Sequence, residues 1–150
     1  MNIHETYMRQ ALIEAYKAFD EDEVPVGGVI ACKDQIIARA HNQIKTLKDP
    51  TAHAEMIAIT QAAAHLKNER LSECDLYVTI EPCSMCVGAS ILARLRSIVF
   101  GAWDPKTGAC GSVINLVKPG LLNHTIKVTG GILETECREI MQKFFLIKRF

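Results

Sequence analysis

Two short segments carry residues whose types and spacing could do chemistry: His53-Ala54-Glu55 and Pro82-Cys83-Ser84-Met85-Cys86. Two thiols and an imidazole are ligands that suit Zn²⁺. A Cys-x-x-Cys spacing lets both sulfurs reach one cation from a single helical turn. Each segment is predicted to open a helix, where free N–H groups and the positive end of the dipole are presented. That field lowers thiol pKa and favours the thiolate that binds metal. The ligand number matters most. His53, Cys83 and Cys86 make three, which leaves the fourth tetrahedral position to water, as in a catalytic zinc site. Zinc can bring the pKa of such a water down to about 7, so a neighbouring group must take the proton. Glu55 lies close to the metal without being needed as a ligand. A positioned acid–base of this kind supplies about 10²–10⁴ in rate.

Each element alone has a plainer reading. A Cys-x-x-Cys pair can be a redox couple or half of a structural zinc site. A lone His before an apolar helix is more often structural, and a Glu in a first helical turn often only meets the dipole. A structural zinc module with Cys74 or Cys110 as fourth ligand therefore stays open. So does a thiol redox protein using Cys83 and Cys86.

The elements that must position these residues follow from periodicity. Apolar residues at helical spacing predict a helix over 3–19, ended by the acidic run 20–23 and Pro25. Residues 26–32 and 36–41 read as two strands joined by the turn Lys33-Asp34-Gln35, a hairpin. Asp49-Pro50-Thr51 sets up a helix over 52–65. A third strand is predicted over 76–80 and a helix over 84–95 behind Pro82, since proline suits a first helical turn. A fourth strand over 97–102, a loop rich in Gly and Pro over 103–123, a fifth strand over 125–129 and an amphipathic helix over 133–148 complete the chain. Strands alternating with helices predict a single α/β domain over 1–150, a three-layer α-β-α fold around a central five-stranded mixed sheet.

Composition bounds the function. The chain has 150 residues, 49% of them hydrophobic, which is enough for one buried core without staples. The six cysteines come without an export signal at Met1, so thiols or metal ligands are expected rather than disulfides. No run approaches the ~20 apolar residues of a membrane span, and a cytoplasmic location is expected. Seventeen basic and seventeen acidic residues give zero formal net charge. Binding to nucleic acid must then rest on a local patch, drawn from Lys45, Lys48, Arg70, Lys106, Lys118, Lys148 and Arg149.

His-x-Glu followed by Pro-Cys-x-x-Cys, each at a helix start, matches the signature of zinc-dependent base deaminases. The chain strongly resembles the cytidine deaminase-like superfamily and, within it, the bacterial tRNA-specific adenosine deaminases. The resemblance covers nearly the whole length. Carrying stretches include Glu23-Val24-Pro25-Val26-Gly27, Ala40-His41-Asn42, Asp49-Pro50-Thr51-Ala52-His53-Ala54-Glu55 and the strand and loop from Leu76 to Cys86. Asp104-Pro105-Lys106-Thr107-Gly108, Asn123-His124 and Phe144-Phe145 point more narrowly to the tRNA enzymes. The resemblance implies one zinc ion per subunit on His53, Cys83 and Cys86, proton transfer by Glu55, and no organic cofactor. It implies that Asn42 and backbone groups of Ala54 meet the target base, and that Asp104, Lys106, Asn123, Phe145 and Arg149 meet flanking nucleotides. Core packing is the alternative for Phe144 and Phe145, and the better expectation for at least one of them. The implied partner is a tRNA anticodon loop, the implied assembly a homodimer, and the implied reaction conversion of the wobble adenosine to inosine. Deamination of a free guanine- or cytosine-type base or nucleotide at the same site is the alternative.

Overall fold

Asn2 opens the first helix, its side chain accepting the Glu5 N–H at 2.9 Å, a typical N-cap. The computed structural model describes residues 2–148. They form α1 (Ile3–Asp20), β1 (Gly27–Cys32), β2 (Gln35–His41), α2 (Ile44–Leu47), α3 (Ala54–Leu66), β3 (Cys74–Ile80), α4 (Ser84–Leu92), β4 (Ser97–Ala102), β5 (Lys127–Thr129) and α5 (Glu134–Ile147). The strands make one sheet in the order β2-β1-β3-β4-β5. β1 runs antiparallel to β2 and β3, while β3-β4 and β4-β5 are parallel. The expected hairpin and five-stranded mixed sheet are both present.

Side chains alternate across the sheet with the period of two that strands impose. Val29, Ala31, Tyr77 and Val99 pack with Met8, Ala11, Leu12 and Ala15 of α1 and with Cys137 and Ile140 of α5. Ile30, Leu76, Val78, Ile98 and Phe100 pack with Ala54, Ala58 and Ala62 of α3 and Val87 and Ile91 of α4. The sheet is therefore covered on both faces, and its inner strand β1 is buried at every residue. Burying one such large apolar side chain is worth about 1.5–3 kcal/mol. Gly27 lets α1 cross close to β1: a Cβ there would collide with the Ala11 carbonyl oxygen and the Ala15 nitrogen.

Register decides which strand ends meet. Gly27 pairs with His41, Gly28 with Val78, and Ile80 with Ala102. The start of β1 and the ends of β2, β3 and β4 thus share one edge of the sheet. Ligand sites in layered α/β folds lie outside such strand ends. At the opposite edge Cys32 faces Cys74.

Several element bounds differ from expectation by one to three residues, and one short helix, α2, was not expected. α3 starts at Ala54, because His53 keeps extended backbone as its N-cap. α4 stops at Leu92, and Arg94 then takes a left-handed conformation at φ 61°. β5 is limited to three residues. The short α2 has no apolar pattern. Its N–H groups are instead met by Glu23, which accepts from Lys45 N at 3.1 Å, Thr46 N at 2.7 Å and Thr46 Oγ1 at 2.8 Å. The cap comes from a residue distant in sequence, so local propensity does not reveal it.

Candidate active site

β3 runs through Glu81 and Pro82 into α4, and the connection after β2 runs into α3. Two helix N-termini consequently meet at the shared sheet edge. His53 caps α3 and Cys83 caps α4, both with extended backbone. Cys86 follows one turn into α4 and is fully buried. His53 Nδ1 lies 3.7 Å from Cys83 Sγ and 3.6 Å from Cys86 Sγ. Among the described residues these three are the group that could hold a metal ion, their ligand atoms all within 4.8 Å of one another. The spacing fits zinc. Zn–S bonds of about 2.3 Å and Zn–N bonds of about 2.0–2.1 Å in tetrahedral geometry place such atoms about 3.6 Å apart.

The electrostatics fit as well. A hydrogen bond from the Cys86 thiol brings the Cys83 thiol down to about 4, helped by His53 and opposed by burial. Cys86 is pushed the other way by the Cys83 sulfur, by burial and by Glu55. The two sulfurs thus share one proton, which a bound divalent cation would displace. His53 is held above its ordinary range by its contact with Cys83, against the effect of burial.

Glu55 sits in the first turn of α3 and is 2% exposed. Burial pushes its carboxyl up to about 7, although its own backbone N–H and His53 favour the charged form. Its Oε1 is buried without a hydrogen-bond partner. A buried orphan oxygen beside a three-ligand set has the reach and the proton affinity to handle a reacting proton.

Asn42, at the end of β2, is buried, and its Oδ1 accepts the Ala54 N–H at 2.8 Å. The Ala54 amide, expected at the base, is therefore engaged by Asn42. Val24, Val26, Asn42, Ile44, His53, Glu55, Ile80, Cys83, Asp104, Thr107 and Met141 are among the residues that enclose a cavity of about 210 Å³.

Asp104 lines this cavity, but its carboxylate is turned onto its own loop. Oδ1 accepts Lys106 N at 2.9 Å and Thr107 N at 3.2 Å, and Oδ2 accepts Thr107 Oγ1 at 2.8 Å. Lys106 and Phe145 line an adjoining groove. Phe144 is fully buried and Phe145 half exposed, so one of the pair serves the core. Asn123 is not brought to this cavity within the chain. It lines a separate hollow of about 400 Å³ with Gly88, Leu92 and Leu122. Arg149 lies outside the described residues. The basic patch is not contiguous. Arg70 sits with Cys32 and Cys74 at the far sheet edge, and Lys148 pairs with Asp22. Cys74 is the first residue of β3 at that far edge, not a fourth ligand.

Sequence reading missed Glu81. It is 1% exposed and accepts N–H groups from Asp104 at 2.9 Å, Cys110 at 2.9 Å and Ser112 at 3.0 Å, together with the Ser112 hydroxyl. Gly108 must lack a side chain because a Cβ there would collide with the Glu81 carboxylate. The signal was a carboxylate directly after an apolar strand, which sequence alone does not distinguish from a surface charge.

This geometry has parallels. Residues 2–149 match the MafB19-like deaminase family. The chain is 46% identical over 145 residues to the tRNA-specific adenosine deaminase of Bacillus subtilis, spanning 97% of this chain and 90% of that one. It is 45% identical over 141 residues to that of Aquifex aeolicus, spanning 94% and 93%. A solved structure from studies of A-to-I editing by tRNA:A34 deaminases superposes with a TM-score of 0.87 at 43% identity, over 90% of this chain and 98% of that one. A guanine deaminase from Nitrosomonas europaea superposes at 0.81 with 25% identity, over 93% and 83%. With relatives this similar along nearly their full length, and with its two thiols and imidazole gathered beside a buried glutamate, the chain belongs to the tRNA-specific adenosine deaminases of the MafB19-like deaminase family.

Proposed function

We propose that the chain hydrolyses adenosine to inosine at the wobble position of a tRNA anticodon, as one deaminase domain. The observation that carries the reading is the three-ligand set with the unpartnered, buried Glu55 Oε1 beside it. His53, Cys83 and Cys86 would hold one zinc ion. When bound there, zinc supplies the Lewis acidity that makes a water nucleophilic near neutral pH. Glu55 takes a proton from the attacking water and returns protons to the ring nitrogen and the amine as the bond to carbon 6 breaks and ammonia leaves. Burial raises that carboxyl's affinity for a proton, which suits a group that takes a proton and then returns it. Asn42, fixed through its Oδ1, keeps its amide N–H groups for the base. The apolar walls Val24, Val26, Ile44 and Ile80 exclude water around the ring. A cavity of about 210 Å³ takes one base, so the nucleotide must be turned out of its stack, which is cheap in an RNA loop.

The reading includes a homodimer. Leu92 of α4 is 82% exposed and lies with Leu121 and Leu122 around the hollow that Asn123 lines. Exposed apolar groups clustered this way support self-association. Among the described residues no helix is long and apolar enough to cross a membrane, and a tRNA substrate fits a cytoplasmic location.

The test is inosine formation by the zinc-replete protein on an anticodon stem-loop with adenosine at the wobble position, beside free adenosine, guanine and cytosine. Inosine in the stem-loop is the expected product. Turnover of the free compounds without turnover of the stem-loop overturns the reading.

A further inference from the structure

Trp103 is the chain's one tryptophan and follows β4 directly. Its ring is held from two sides. It meets Phe100 edge-on, with centroids 4.7 Å apart and planes at 88°, and Phe100 is fully buried in the core. Gly130 lies against it so closely that a Cβ there would come within 2.9 Å of Trp103 Cζ2. The next residue, Asp104, is tied through its N–H to Glu81 at 2.9 Å. The ring is therefore oriented before any ligand arrives, yet it is 47% exposed. A large aromatic fixed in place and left open to solvent is the form that binding aromatics take, because little side-chain entropy is lost when it is covered.

What covers it follows from where it lies. Trp103 walls a groove of about 820 Å³ with Pro105, Lys106, Met141, Phe145 and Leu146. That groove shares Val24, Ile80, Asp104, Thr107 and Met141 with the cavity over Glu55. The two hollows therefore adjoin. A polymer that places one unit in the cavity has the groove beside it for a neighbouring unit. Apolar and aromatic walls with cations such as Lys106 and Arg138 beside them are what single-stranded nucleic acid uses, stacking its bases on rings while cations follow the backbone.

We propose that Trp103 is the stacking platform for the base next to the target adenosine. The inference rests on the RNA-substrate reading and adds to it a binding residue with a stated mode. Stacking reads ring area rather than hydrogen-bond pattern, so Trp103 contributes affinity across sequences, with a purine held better than a pyrimidine at that position.

Because Trp103 is the sole tryptophan, its emission reports this contact directly. Zinc-replete protein is titrated with an end-labelled anticodon stem-loop carrying the wobble adenosine. Label anisotropy measures binding, and tryptophan emission is recorded in parallel. The expected result is quenching that saturates together with the anisotropy change. An abasic site at one of the two positions flanking the adenosine is expected to restore emission while binding persists. Trp103→Ala is expected to lower kcat/KM on the stem-loop by about 5- to 150-fold, carried by KM rather than kcat, and Trp103→Phe to recover most of the loss. Saturable binding with unchanged emission, or quenching that survives an abasic site at both flanks, overturns the platform and leaves the RNA reading standing. Absence of saturable binding in the anisotropy overturns the RNA reading and the platform with it.

Discussion

Asn42 Oδ1 accepts the Ala54 N–H at 2.8 Å, joining the end of β2 to the first residue of α3, between the two ends of the His53-Ala54-Glu55 segment. One buried side chain thereby fixes the helix start that carries both His53 and Glu55, and under the proposed function its amide donors are left for substrate. Asn42→Asp keeps an acceptor for Ala54 and removes the donors. It should unfold in urea within about 1 kcal/mol of wild type and raise KM on the stem-loop about tenfold. Asn42→Ala leaves a buried N–H unpaired and should cost about 1–3 kcal/mol. Equal loss of stability in both variants would show that Asn42 has only a structural part.

Glu55 is buried, its Oε1 has no hydrogen-bond partner, and burial raises its carboxyl to about 7. Glu55→Gln keeps its size and removes its proton transfer. Its kcat is expected to fall by at least about 10²–10⁴, with zinc content by elemental analysis unchanged at one ion per chain. Near wild-type turnover would remove Glu55 from the mechanism.

Glu81 holds the loop that carries Asp104 and Thr107 against the connection from β3 to α4. Glu81→Ala strips three backbone N–H groups of one shared, charge-assisted acceptor. A stability loss of more than about 2 kcal/mol is expected, with new proteolytic cleavage between residues 104 and 112 detected by mass spectrometry. Glu81→Gln, which retains one acceptor oxygen, should fall between that variant and wild type.

Asp75 carries the clearest pH dependence away from the candidate metal ligands. Burial favours its neutral form, but Arg96 at 2.7 and 3.0 Å and Ser97 at 2.6 Å outweigh it and hold the carboxyl below its usual range. A carboxyl lowered by folding adds stability above the unfolded pKa of about 3.9 and loses it as pH falls through the folded value. Arg96 is exposed, so the pair is worth only about 1 kcal/mol. Asp75→Asn should lower Tm at pH 7 by a few degrees, and the gap to wild type should close as pH falls below about 4. A gap that stays constant over that range would assign the loss to packing.

Leu92 tests the assembly. Leu92→Arg places a charge on the exposed apolar face of α4. Sedimentation velocity is expected to show a dimer for wild type and a monomer for the variant at micromolar concentration. A wild-type monomer at that concentration would end the homodimer reading.

The sequence by itself pointed to the chemistry and laid out most of the frame. The types of the candidate ligands, their count and their places at two helix starts are local facts, carried by contiguous residues from His53 to Glu55 and Pro82 to Cys86. Apolar periodicity is local too, and it located every strand and all helices except α2. Other features depended on which distant segments the strand order β2-β1-β3-β4-β5 brings to one edge. Glu23 became the cap of α2 and Glu81 the anchor of the loop after β4 only because folding placed partner N–H groups over buried carboxylates. Phe144 went into the core while Phe145 and Trp103 faced the groove, and Arg70 was carried to the far edge from the ligands. Burial and long-range hydrogen bonding are properties of the packed chain, and residue type alone does not say which carboxylate or which ring will be inside.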